Sequence, residues 1–170
     1  MDFYQLLDEK HCKSTTNRIV EEVVASPKRI DELMELFLSD DVRISQRAAW
    51  PISYIAEKKP SIIEKNLSKL FSKFEQKNVH DACIRNTFRC FQYINIPEEM
   101  EGIVLTKAFE YLNNPLSAIA VKVFCMDAIE KLIKKYPEIK TEFKASIENQ
   151  MDEGSAGFKN KGNKILKRLK

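Results

Sequence analysis

Glycine is scarce in this chain, 4 of 170 residues, and histidine and tryptophan are scarcer still, at two and one. With 44% apolar and 31% charged residues, so little glycine describes a soluble helical protein rather than a disordered or glycine-rich one. With two histidines there is little room for a nucleophile–base–acid set, and none is readable. The four cysteines, Cys12, Cys83, Cys90 and Cys125, form no CxxC pair. Three of them fall inside apolar helical patterns, where a thiol packs as a small hydrophobe, so they are expected to be reduced and structural. His80 and Cys83 stand three apart, but structural zinc wants four ligands and no second pair is visible, so no metal or cofactor is expected. No apolar run approaches the roughly 20 residues of a membrane span. The opening Met1-Asp2-Phe3-Tyr4-Gln5 lacks the basic-then-apolar layout of a secretory signal, which makes the cytoplasm the expected location.

What the chain does have is a recurring proline. Pro27, Pro60, Pro97 and Pro137 are separated by 33, 37 and 40 residues, and each opens a stretch with helical spacing of apolar side chains. Proline fits the first turn of a helix, where its missing N–H has no intrahelical partner to lose. The spacing predicts helices over roughly 27–38, 60–75, 97–112 and 137–151. Their apolar stripes are Ile30-Leu33-Met34-Phe37, Ile63-Leu67-Leu70-Phe74, Met100-Val104-Phe109 and Ile139-Phe143-Ile147-Met151, mostly in steps of three and four. Each ends in a polar turn and is followed by a second helix. In those second helices Arg47, Arg85, Lys122 and Lys159 recur at intervals of 38, 37 and 37. Periods of this length are the mark of stacked helical pairs, because one pair cannot bury its own apolar face.

With these residues in view the chain resembles the HEAT-repeat (armadillo-like) family, α-solenoids whose units pair a helix A with a helix B across a short turn. The resemblance covers about residues 27–170. It implies an all-α superhelix of about four helical pairs, with residues 1–26 as an N-terminal capping pair and the whole as one domain. It also implies a turn acid bonded to the helix-B base six residues on. Asp41 with Arg47 and Glu153 with Lys159 fit that ladder. Val79 and Leu116, which stand six before Arg85 and Lys122, do not, so those two bases are expected to be open to solvent.

Net charge is only +3, unevenly placed: residues 1–41 carry five bases and ten acids, residues 152–170 six and two. The expected binding stripe on the concave helix-B face is Arg43, Arg47, Arg85, Arg89, Lys122 and Lys159, with Trp50 beside it. Trp50 precedes Pro51 inside a predicted helix, where the lost backbone bond should kink the turn. HEAT-like DNA alkylation-repair proteins hold a damaged nucleotide with Trp and Asp, and Trp50 with Asp41 or Asp81 is a distant analogue; the simpler reading has Trp50 packing between repeats.

Three of the four glycines fall within 154–162. Ser155, Ala156 and Gly157 with Lys159 and Lys161 would make an anion site at a helix start; the simpler reading is that Ser155 caps the helix. The segment has a passing likeness to the flexible Gly-Ser-Ser loop of the fumarase superfamily. It lacks that loop's Met-Pro and Asn-Pro elements, and the chain is too short for such an enzyme, so a lyase is not expected. The sequence is best read as a non-catalytic, monomeric interaction module that binds a protein or peptide, with no membrane contact. Nucleic-acid binding is the alternative.

Overall fold

The computed structural model describes residues 1–169, and within them the chain is helical throughout, with no strand. It divides into two compact units, Met1–Asn95 and Ile96–Lys170. The N-terminal unit opens with the pair α1 (Phe3–Glu9) and α2 (Lys13–Ala25). A proline-led turn of 3-10 helix feeds α3 (Ile30–Leu38), which pairs with the long α4 (Val42–Lys58). Next come α5 (Pro60–Glu64), α6 (Leu67–Ser72) and α7 (Asp81–Cys90). The C-terminal unit holds α8 (Glu98–Asn113) with α9 (Ile119–Leu132), and α10 (Lys140–Glu148) with α11 (Ala156–Arg168). This is the expected all-α, HEAT-like order: four A/B pairs behind one N-terminal pair.

Each A helix begins at or beside its proline. Pro27 and Pro137 lead 3-10 turns, Pro60 is the first residue of α5, and Pro97 precedes α8. The predicted 60–75 helix is broken. Asn66, at φ −121° and ψ 18°, leaves the helical region between α5 and α6, and its side-chain N–H donates to the Ile62 carbonyl at 2.9 Å in place of a backbone donor.

α4 is the hub of its unit, packing on α1, α2, α3, α5 and α7. It runs as one helix through Pro51. The apolar stripe of α3, Ile30-Leu33-Met34-Phe37, is buried entire, together with Ile44, Ile52 and Ile55 of α4. Phe71, Phe74, Phe88 and Phe91 form a ring cluster with centroids 5.4–5.9 Å apart. Polar bonds also join α4 to α7. Ser53 Oγ donates to Asn86 Oδ1 at 3.1 Å, Asn86 Nδ2 donates to the Ala82 carbonyl at 2.8 Å, and Arg89 donates to Ser53 Oγ at 3.1 Å. Satisfied polar groups of this kind fix the register of the two helices.

In the C-terminal unit, α9 packs on α8 and α11, and Val104, Leu112, Cys125, Met126, Ile129, Phe143, Ile147, Phe158 and Ile165 make the core. Two glycines there are demanded by close approach. A Cβ at Gly162 would stand 2.8 Å from the Ile147 side chain, and one at Gly154 would stand 2.7 Å from the Gln150 carbonyl.

One hydrogen-bonded clasp occurs in both units. Gln76 donates its side-chain N–H to the Leu38 carbonyl at the end of α3, 2.8 Å, and accepts from the buried Lys73 ammonium at 2.6 Å. In the C-terminal unit Gln150 donates to the Leu112 carbonyl near the end of α8, 3.0 Å, and accepts from the buried Lys122 ammonium at 2.6 Å. Each glutamine reaches back 38 residues, one repeat length, and satisfies a carbonyl near a helix end that has lost its intrahelical partner.

Candidate functional site

Residues 43, 47, 50 and 54 follow one another at steps of four, three and four along α4, and 85, 89 and 93 at steps of four along and just past α7. Because α4 and α7 pack side by side, the two rows form a single face of arginines and aromatics. Arg47, Trp50, Tyr54, Arg85, Arg89 and Tyr93 are all half-exposed. The His11 ring, from the α1–α2 turn, lies 5.1 Å from the Trp50 ring, and Tyr54 stands edge-on to Trp50 at 6.1 Å. The Arg89 guanidinium lies 4.5 Å over the Tyr54 ring and 6.0 Å from that of Tyr93, and it pairs with Glu57 at 2.8 Å. A flat, delocalised cation over an aromatic face is held by the ring quadrupole.

The arginines are not equivalent. Arg43 pairs with Asp8. Arg47 donates through one Nη to the Leu7 and Asp8 carbonyls at 2.6 and 2.8 Å, closing the end of α1. Arg85 makes no hydrogen bond or ion pair with any described residue. Its charge is nonetheless felt at His11, whose pKa is pulled below the ordinary imidazole value by burial first, then by Arg47 and Arg85. His11 is therefore biased toward the neutral ring, and the cation at this spot is guanidinium. One residue on, Cys12 is half-exposed and hydrogen-bonds the Thr15 hydroxyl, which draws its thiol pKa down; the other three cysteines are buried.

Several expectations are corrected here. Lys122 is 6% exposed and lies in the clasp with Gln150, so it is no part of an open face. The turn-acid ladder is absent. Asp41 caps α4 by accepting from Arg43 N and Ile44 N, while Arg47 reaches α1 instead. Lys159 donates to the Asp152 carbonyl, 3.0 Å, not to Glu153. Trp50's ring neighbours are His11 and Tyr54, with Asp41 engaged in its cap.

At the start of α11, Ser155 accepts from Phe158 N at 3.3 Å, Lys161 is bound to Asp127, and no glycine has positive φ. Ser155, Ala156 and Gly157 thus form an ordinary cap whose neighbouring lysines are already engaged. His80 likewise caps α7, its Nδ1 accepting from Ala82 N at 3.1 Å. Among the described residues no group of three or more His, Cys, Asp or Glu could hold a metal, and no helix is long and apolar enough to cross a membrane.

Sequence reasoning missed His11, Tyr54 and Tyr93. The signal was present for two of them, in the helical spacing of 50 to 54 and 89 to 93. His11 comes from a turn that no periodicity reports. Neither the curated proteins nor the solved structures give a match. A family model described as a HEAT repeat domain matches residues 3–169, nearly the whole chain and both units, and so the protein belongs to the HEAT-repeat family.

Proposed function

We propose that this chain is a non-catalytic interaction module whose α4/α7 face binds an acidic, aromatic-bearing segment of a protein partner. The observation that carries the reading is Arg85, a half-exposed guanidinium with no partner of its own, set beside Arg47, Trp50 and His11. Unpaired guanidinium groups recognise carboxylates by paired N–H donors, and aromatic plus arginine surfaces supply most of the binding energy at protein interfaces. HEAT-repeat proteins are helical scaffolds typically used in protein interaction, which fits a face without a nucleophile or metal cluster. The N-terminal unit carries fifteen bases and fourteen acids, for +1, so its charge is local and suits a short acidic stretch better than a long polyanion.

Trp50 is the sole tryptophan and serves as an intrinsic reporter. A peptide of one phenylalanine and four glutamates is expected to change Trp50 emission saturably. Arg85→Ala should weaken binding about tenfold, the loss of one charge-assisted contact, without lowering the melting temperature. Equal affinity in the variant sinks the proposal. A second reading, single-stranded nucleic acid stacking on Trp50, Tyr54 and Tyr93, draws on the same alternation of ring and arginine. It requires an oligothymidylate to outcompete the peptide and to weaken steeply with salt.

A further inference from the structure

Lys73 is 3% exposed and has no carboxylate within ion-pair distance. Its ammonium donates to Gln76 and stands 5.3 Å from the Phe37 ring centroid. A charge taken out of water needs a counter-charge, and a neutral amide with a ring face supplies only part of one. Burial draws the Lys73 pKa below that of a free lysine, with Cys83 and Asp40 opposing the shift. A cavity of about 330 Å³ opens on this group, lined also by Lys77 and His80 and by the single acid Asp40.

Unused donors gather around it. Lys73 keeps two N–H groups beyond the one given to Gln76. Lys77 makes no hydrogen bond with any described residue. His80 accepts at Nδ1, so its neutral ring carries the proton on Nε2. Ser39 Oγ accepts from Asp41 N and keeps its own hydrogen to donate. Val42 and Val79 give the same cavity an apolar wall.

We infer that this cavity binds a small monocarboxylate, its oxygens on Lys73 and Lys77 and its apolar body against Val42 and Val79. Two lysines against one aspartate leave one positive charge, which a carboxylate neutralises and a dianionic phosphate would overshoot beside Asp40. The matching cavity in the C-terminal unit, about 270 Å³, places Glu153 with Lys122 and has no second cation. Its charges already balance, so it serves as the internal control.

The test is a titration of the full chain with butyrate and, separately, with butyramide, followed by backbone amide shifts. Butyrate should saturate in the low millimolar range and move residues 39–45 and 76–82, while butyramide should not. Lys77→Ala is expected to weaken binding about fivefold and Lys73→Met to abolish it, with Lys122→Met unchanged. Should Lys73→Met fail to fold, the Lys73 side-chain carbon shifts in the wild type give the same answer, because they must follow the butyrate isotherm. N-acetylvaline against its methylamide separates the sources. Tight binding of the acid points to a peptide C-terminus, and its exclusion while butyrate binds points to a free carboxylate. No saturation by about 50 mM butyrate, equal binding of butyramide, or shifts confined to the Lys122 cavity would each overturn the inference.

Discussion

The Gln76 clasp in the N-terminal unit and the Gln150 clasp in the C-terminal unit are built alike, yet the cations around them are treated differently. In the C-terminal unit two bases of α11 meet acids on α9. Lys161 is bound to Asp127, and Arg168 grips Glu130 through two hydrogen bonds of 2.6 and 2.8 Å. At its other end Glu101, only 7% exposed, accepts from Lys135 and Tyr136. In the N-terminal unit Arg85 and Lys77 have no partner among the described residues, and Lys73 has only a neutral one. A helix-B base can therefore be paired within the fold or left open, and open charge beside aromatic rings or a cavity is where a ligand gains most. The clasp is common to both units, whereas an unpaired guanidinium, Arg85, belongs to the N-terminal one, the sole arginine of the other being bound to Glu130.

The comparison breaks most directly at the glutamines. Gln150 also donates to the Ser146 carbonyl, 2.8 Å, so it satisfies two backbone acceptors and one ammonium, whereas Gln76 satisfies one of each. Gln150→Ala is expected to cost about 2–3 kcal/mol and Gln76→Ala about 1–2 kcal/mol, because buried groups left unpaired bear the desolvation penalty. Urea unfolding of both variants checks the order, and a larger loss at Gln76 would mean the two clasps are not equivalent.

A second effect concerns pH. Burial lowers the pKa of both Lys73 and Lys122 in the folded chain. The unfolded chain therefore binds more protons between the folded value and about 10.5, and stability contributed at these sites rises with pH across that window. Lys135 moves the opposite way, raised by its hydrogen bond to Glu101, so the total slope mixes signs. The informative quantity is wild type minus Lys73→Met or Lys122→Met, which should increase from pH 7 to pH 9.5 in denaturant unfolding. A flat difference would show that the ammonium groups are adequately compensated as they stand.

Arginines give a smaller contrast. Arg168→Ala should lower the melting temperature, since a two-bond pair to Glu130 is lost, while Arg85→Ala should leave it unchanged. Calorimetry on the two variants decides, and an equal fall in both would place Arg85 in the scaffold. The smallest expected effects come from two positions where the native residue does little. Thr87 carries a buried hydroxyl with no hydrogen-bond partner, and Gly157 is an open helical site whose added Cβ would meet only Ser155 Oγ at 4.0 Å. Thr87→Val and Gly157→Ala are each expected to raise stability by up to about 1 kcal/mol. A loss at Gly157 together with loss of bound phosphate would restore the anion site there.

Much of the fold was legible because the prolines and the three-and-four spacing are local signals. The break at Asn66 was not, since Ile63 and Leu67 keep helical spacing across it and the rupture is stabilised by a side-chain bond to Ile62. The stripe on α4 and α7 could be read in part. Its failure at Lys122 has a definite cause: the acceptor that buries this lysine is Gln150, 28 residues further on, and no intrarepeat rule points to it. Arg85 was picked out because it had no turn acid six residues earlier, and that absence matches the one guanidinium on the α4/α7 face that stands unpaired.

The placement of Cys12 carries a practical consequence. Three thiols are sealed in the core, and burial pushes Cys90 up to about 12, so a mild alkylating reagent at neutral pH meets one reactive sulfur. That sulfur belongs to the residue after His11, whose ring touches Trp50. A dye attached there sits within energy-transfer range of the only indole in the chain, so the natural sequence already contains a donor and an attachment point at the rim of the face to be watched.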